Sequence, residues 1–94
     1  QNRHMPMLIL GLDPSIAEIP NCYKTDNETD ILAWGNDVMM ACKDHVMGVK
    51  FQSAYFELFG LKGLTTLAAL IETARALGLK TIMDAKYKVY FRLS

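Results

Sequence analysis

Three times along this chain an apolar, β-rich run closes on a charged side chain. The first run is Met7-Leu8-Ile9-Leu10-Gly11-Leu12, ending at Asp13-Pro14. The second is Val46-Met47-Gly48-Val49, ending at Lys50, and the third is Leu79-Lys80-Thr81-Ile82-Met83, ending at Asp84-Ala85-Lys86. The steps from Asp13 to Lys50 and from Lys50 to Asp84 are 37 and 34 residues. A strand–helix–strand crossover takes roughly 30 residues or a little more, so these steps predict consecutive βα units. Near-continuous apolar strands are what a parallel sheet covered by helices requires.

The intervening segments carry helical signals. Thr25 and Glu28 stand three apart before an apolar-periodic stretch, as a capping box does. The spacing then predicts a helix over about Asp26–Asp44, with Ile31, Gly35, Val38, Met39, Cys42 and Val46 on its inner face. A second long helix is expected over Lys62–Leu77, burying Leu64, Leu67, Ala68, Ile71 and Ala74, with Gly78 as a left-handed cap. Ala54–Phe59 reads as a short helix or turn closed by Gly60. Strand and helix alternating in this way argue for an α/β fold with right-handed crossovers.

Two α/β architectures remain open, a doubly wound sheet and part of a barrel. No glycine-rich phosphate fingerprint follows the first strand, where Asp13-Pro14 stands instead. Charged residues at the carboxyl ends of all three strands suit a TIM (β/α)8 barrel, whose chemistry sits on that rim. Such a barrel takes about 250 residues, so this length holds only about three units. The expectation is one incomplete barrel domain over residues 1–94, with 1–6 as a tag or terminal tail and 87–94 as a divergent tail.

Composition narrows the partners. Ten Lys+Arg balance ten Asp+Glu, which argues against a binder of nucleic-acid polymers. With 51% apolar and 21% charged residues the chain is not of disordered composition. The apolar run before Asp13 is far shorter than the roughly 20 residues of a membrane span, and no cleavage pattern of small residues follows it. Cys22 and Cys42 are too few for a disulfide framework or a zinc knuckle, so a reduced, cytoplasmic setting is expected. His4 and His45 lack metal-ligand spacing. Met39 and Met47 read as core filler, Trp34 and the Tyr55-Phe56-Phe59 group as packing, and Lys62 and Lys80 as solvated charges.

Asp84 and Lys86, two apart at a strand end, leave on the same face and can hold each other in place. By itself Asp-x-Lys is an ordinary strand-end ion pair. What lifts it is that Asp13, Lys50, Asp84 and Lys86 recur at equivalent points of consecutive units.

These residues also carry a resemblance. Gly11-Leu12-Asp13-Pro14, then Val49-Lys50-Phe51-Gln52-Ser53-Ala54-Tyr55-Phe56-Glu57 with Gly60–Leu64 behind it, then Ile82-Met83-Asp84-Ala85-Lys86 resemble orotidine 5′-monophosphate decarboxylase, in its longer bacterial subgroup. The resemblance implies a partial TIM barrel and a decarboxylation of a small nucleotide, orotidine to uridine monophosphate, that uses no cofactor and no metal. It implies that Asp13 contacts the ribose, that Lys50 belongs to a charged catalytic array, that Asp84 lies beside the substrate carboxylate and that Lys86 protonates the pyrimidine carbon. It departs at Phe51, where the family has Pro, and after Lys86. There Tyr87-Lys88-Val89 replaces Arg-Gly-Asp, and residues 87–93 alternate like a strand. The chain alone is therefore expected to lack enzymatic turnover. Two other readings stay open: a non-catalytic remnant serving as a structural or interaction module, and a phosphosugar enzyme of the same superfamily. A homodimer, or self-association through exposed sheet edges, is expected to cover the open apolar surface.

Overall fold

A computed structural model describes residues 8–25 and 28–84. Three strands, β1 (Ile9–Leu12), β2 (Gly48–Gln52) and β3 (Lys80–Asp84), form one sheet in the order β1-β2-β3, with both pairings parallel. Helices α1 (Ile31–Cys42), α2 (Ser53–Glu57) and α3 (Gly60–Ala76) fill the crossovers. The α/β class and the parallel strands are those the sequence predicts. The tail at 1–6, the strand-like pattern at 87–93 and Lys86 itself lie outside the described residues.

The register divides the sheet into two faces. Leu10, Val49 and Thr81 lie level with one another, as do Leu12, Phe51 and Met83, and this pleat faces the helices. Leu12, Val49 and Phe51 are buried there with Met39 of α1, Phe56 of α2 and Leu70 and Ala74 of α3. Full burial of side chains this size contributes roughly 1.5–3 kcal/mol each before entropy is charged against it. The other pleat carries Ile9, Gly11, Lys50, Gln52, Ile82 and Asp84, and among the described residues no helix covers it.

Several boundaries differ from the expected ones for identifiable reasons. The first helix starts at Ile31, five residues late, because Asp30 is its cap: the Asp30 carboxylate accepts from the Ala33 N–H at 2.9 Å. Thr25 and Glu28 instead close a tight turn, the Thr25 N–H donating to the Glu28 carbonyl at 2.8 Å, beside a Lys24–Thr29 antiparallel bridge. The capping-box reading is thus corrected. On α1 the buried residues are Ile31, Trp34, Gly35 and Met39; Val38 and Cys42 are only half-buried. Met47 is exposed and fills no core.

On α3 the buried stripe is Gly63, Leu67, Leu70 and Ala74, so Leu64 and Ala68, expected inside, are exposed. Gly63 sets that rotation. A Cβ at this position would collide with the Phe56 carbonyl oxygen, and its absence lets α3 pack directly on the α2 backbone. Gly78 ends α3 as expected, with φ of 78°. The Leu79 N–H donates to the Ala74 carbonyl and the Gly78 N–H to the Arg75 carbonyl, at 2.9 and 3.0 Å, the two bonds of a Schellman cap.

Candidate functional site

The open pleat gathers the charged residues. Lys50 is level with Ile82, and Gln52 with Asp84, so Lys50 and Asp84 stand diagonally on adjacent strands. Their side chains meet with Nζ 3.8 Å from Oδ2. Both remain about half exposed, so water still screens the pair and it contributes little to stability. Lys50 is also not at a strand end: β2 runs two residues further, to Gln52, which places the ammonium inside the sheet face rather than on the rim. Asp84 is the last residue of β3, at the rim.

Asp13 follows β1 by one residue, at the same end of the sheet. Its Oδ1 accepts from the Ser15 N–H at 3.0 Å and from the Ser15 hydroxyl, and its carbonyl accepts from the Ile16 and Ala17 N–H groups. This local turn fixes the carboxylate as the chain leaves the strand. Among the described residues no ion pair joins Asp13 to Lys50. Of the four expected site residues, the structure brings Lys50 and Asp84 together, puts Asp13 at the same end, and leaves Lys86 outside its described range.

Sequence reading overlooked Gln52, which alternation could have placed on the face of Lys50. Its Oε1 accepts from the Ala54 N–H at 3.5 Å, at the start of α2, and it sits level with Asp84. Ser53, the next residue, turns inward and its hydroxyl is buried without a partner. A cleft of about 590 Å³ lies elsewhere, between the segment entering α1 and the α2–α3 elbow. Thr25, Asp30, Tyr55, Phe59 and Thr66 line it, and Glu28 pairs with Lys62 beside it at 3.1 Å. Lys62 is 72% exposed, so it remains the solvated surface charge expected, with Glu28 beside it. Tyr55 packs against Phe56 edge-on, with ring centroids 5.5 Å apart, while Phe59 stays exposed. Burial raises the Tyr55 phenol above its ordinary value. Neither Lys50 nor Asp84 lines this cleft, so volume and charge do not coincide. Among the described residues no three His, Cys, Asp or Glu side chains group as a metal site would need.

No family model matches the chain. It is similar to orotidine 5′-phosphate decarboxylase of Streptomyces coelicolor, 34% identical over 79 residues that span 84% of this chain and 28% of that protein. The enzyme of the same name from Roseiflexus castenholzii is 36% identical over 84 residues, 89% of this chain and 30% of the relative. A crystal structure of a proposed orotidine 5′-phosphate decarboxylase from Streptomyces avermitilis matches with a TM-score of 0.71 at 33% identity, covering 87% of this chain. The chain is homologous to part of orotidine 5′-phosphate decarboxylase. It spans under a third of the length of these relatives, as fits an amino-terminal portion of that enzyme, and its three parallel βα units match a partial barrel of that fold. Among the described residues no helix is long and apolar enough to cross a membrane.

Proposed function

We propose that this chain supplies the first three strands, and the first charges, of an orotidine 5′-phosphate decarboxylase site. The observation that carries the reading is the Lys50–Asp84 contact of 3.8 Å on a sheet face that none of the described helices covers. Asp13 holds the ribose of a small nucleotide at the strand ends. Asp84 stands beside the carboxylate that leaves, and Lys50 holds Asp84 in place. As the bond from ring carbon to carboxylate breaks, carbon dioxide departs and the electron pair stays on the ring. Lys86 then gives that carbon a proton. Fixed, alternating charges favour a developing carbanion over a ground-state carboxylate, since their orientation is set before the reaction. No cofactor or metal takes part in the proposed step.

Residues 1–94 form one incomplete barrel domain in this reading, working in the cytoplasm and self-associating as a dimer. The 94-residue chain alone does not turn over at an enzymatic rate. In the resembling family later strands supply the grip on the phosphate, and remote binding energy of that kind offsets the cost of seating a carboxylate beside Asp84. Val89 also stands where the resembling family has a second carboxylate. The test is a spectrophotometric assay of orotidine monophosphate consumption. No turnover is expected from the chain alone. Turnover is expected once the remaining length of a relative is joined to the chain with Val89→Asp, and its loss on Lys86→Ala. A joined protein that folds cooperatively yet leaves orotidine monophosphate untouched refutes the reading.

A further inference from the structure

The cleft beside α1 is lined by segments that lie between β1 and β3. One wall is the turn that enters α1, which supplies Glu28 and Asp30. Backbone bonds join the two arms of that turn, the Thr25 N–H donating to the Glu28 carbonyl at 2.8 Å and the Asp30 N–H to the Tyr23 carbonyl at 2.7 Å. The other wall is the α2–α3 elbow, which supplies Tyr55, Phe59 and Lys62. Gly63 sets the geometry of that elbow by letting α3 pack on the α2 backbone. A space of about 590 Å³ between two such walls falls within the range of small-molecule sites.

Two features of the lining are not explained by folding. Phe59 occupies the cap position of α3, where a Ser, Thr, Asp or Asn side chain would accept a backbone N–H, and it makes no such bond. Its ring stays 55% exposed and leans on Tyr55, with centroids 5.0 Å apart and planes tilted by 47°. Neither an uncapped helix start nor an exposed ring helps the fold, whereas both rings line the cleft. The second feature is charge. Lys62 pairs with Glu28 at 3.1 Å. Asp30 gives one oxygen to the Ala33 N–H, and among the described residues no cation pairs with it. The described lining thus sets two carboxylates against one ammonium, beside electron-rich ring faces that also attract cations. We propose that this cleft binds an organic ammonium ion with an apolar body, the charge seated between Glu28 and Asp30 and the body against Tyr55 and Phe59. Lys62 is then a resident competitor for Glu28. Neither Lys50 nor Asp84 lines the cleft, so the site stands whether or not the decarboxylase reading does.

The test titrates the 94-residue chain by calorimetry with three probes of one body and different charge: phenethylammonium, phenethyl alcohol and hydrocinnamate. Phenethylammonium is expected to bind at least tenfold tighter than the alcohol, and hydrocinnamate weakest. Amide shifts on adding phenethylammonium should centre on Thr29, Lys62 and Thr66, which line the cleft. Glu28→Gln and Phe59→Ala should each weaken phenethylammonium at least threefold while leaving the circular dichroism unchanged, because both side chains are exposed. Lys62→Gln should tighten it at least threefold by releasing Glu28, a gain that a damaged fold would not produce. Absence of saturable binding overturns the proposal, as does equal affinity for the three probes or a preference for hydrocinnamate. So does a Lys62→Gln chain that binds phenethylammonium no tighter than wild type, since the ion pair would then be only a latch between the two walls.

Discussion

Replacing Gly63 by Ala sets two effects of known size against each other. Gly63 lies in the first turn of a seventeen-residue helix, where Ala should gain up to about 1 kcal/mol of helical propensity. The added methyl, however, would overlap the carbonyl of Phe56, with the Phe59 Cβ also only 3.1 Å away. A flexible side-chain tip could swing aside, but a carbonyl moves only if α2 moves, and Phe56 is 1% exposed in the core. Overpacking against immobile atoms typically costs about 1–3 kcal/mol, and a backbone obstacle belongs at or above the upper end. The net expectation is destabilisation by about 2 kcal/mol, which for a chain this length lowers the midpoint by roughly 8–16 °C. Gly35→Ala is the control. Its Cβ meets the Leu70 Cδ2 at 2.6 Å and the Leu12 Cδ2 at 3.3 Å, both side-chain ends, so propensity offsets most of the clash. Urea unfolding followed by circular dichroism and by Trp34, the single tryptophan, measures both variants. If Gly63→Ala is as stable as wild type, the proposed obstruction between α2 and α3 is wrong.

Three further outcomes follow from named contacts. Asp30→Ala should cost about 1 kcal/mol in urea unfolding through loss of the α1 cap, and more than Thr25→Ala; the reverse order would restore the capping box. Tyr23 donates to Asp37 Oδ2 at 2.7 Å, which pushes its phenol from 10.0 up to about 12. A raised pKa stabilises the fold fully below pH 10 and ceases to as pH climbs through about 12, so wild-type stability should fall across that window. Tyr23→Phe should flatten the decline, and a parallel decline in the variant would refute the linkage. Lys50→Ala and Asp84→Ala should each change stability by less than about 1 kcal/mol, because the pair is half exposed. A larger loss in either melt would make the pair a structural brace.

What the sequence made legible was periodic or sterically singular. Apolar strand runs at near-equal steps predicted a parallel α/β order, and Gly78 marked its helix end because a left-handed residue there favours glycine. What it hid depended on partners remote in the chain. Leu64 and Ala68 look as buriable as Leu67 and Leu70, and only the collision at Gly63 decides which stripe turns inward. The start of α1 was ambiguous for a local reason. Thr25, Glu28 and Asp30 are all capping residue types within six positions, and the Lys24–Thr29 bridge takes the first two into a turn. Lys50 was expected at the end of its strand and lies inside it, since Phe51 and Gln52 continue the strand beyond the charge.

That placement of Lys50 explains how so small a sheet can carry charge. Strand alternation is strict, so Val49 and Phe51 enter the core only if Lys50 points away from it. The residues that stabilise β2 and the residue available for chemistry are thus fixed by one register. A slip of a single position against β1 would bury the ammonium among Leu12, Met39 and Phe56, where an unpaired charge costs several kcal/mol or more. The core therefore selects the register that also brings Lys50 within 3.8 Å of Asp84. Because the pair gains little energy itself, it can be altered without loosening the fold. Stability from one pleat and charge from the other is the division of labour an active-site sheet needs, and here it is set by alternate residues of five-residue strands.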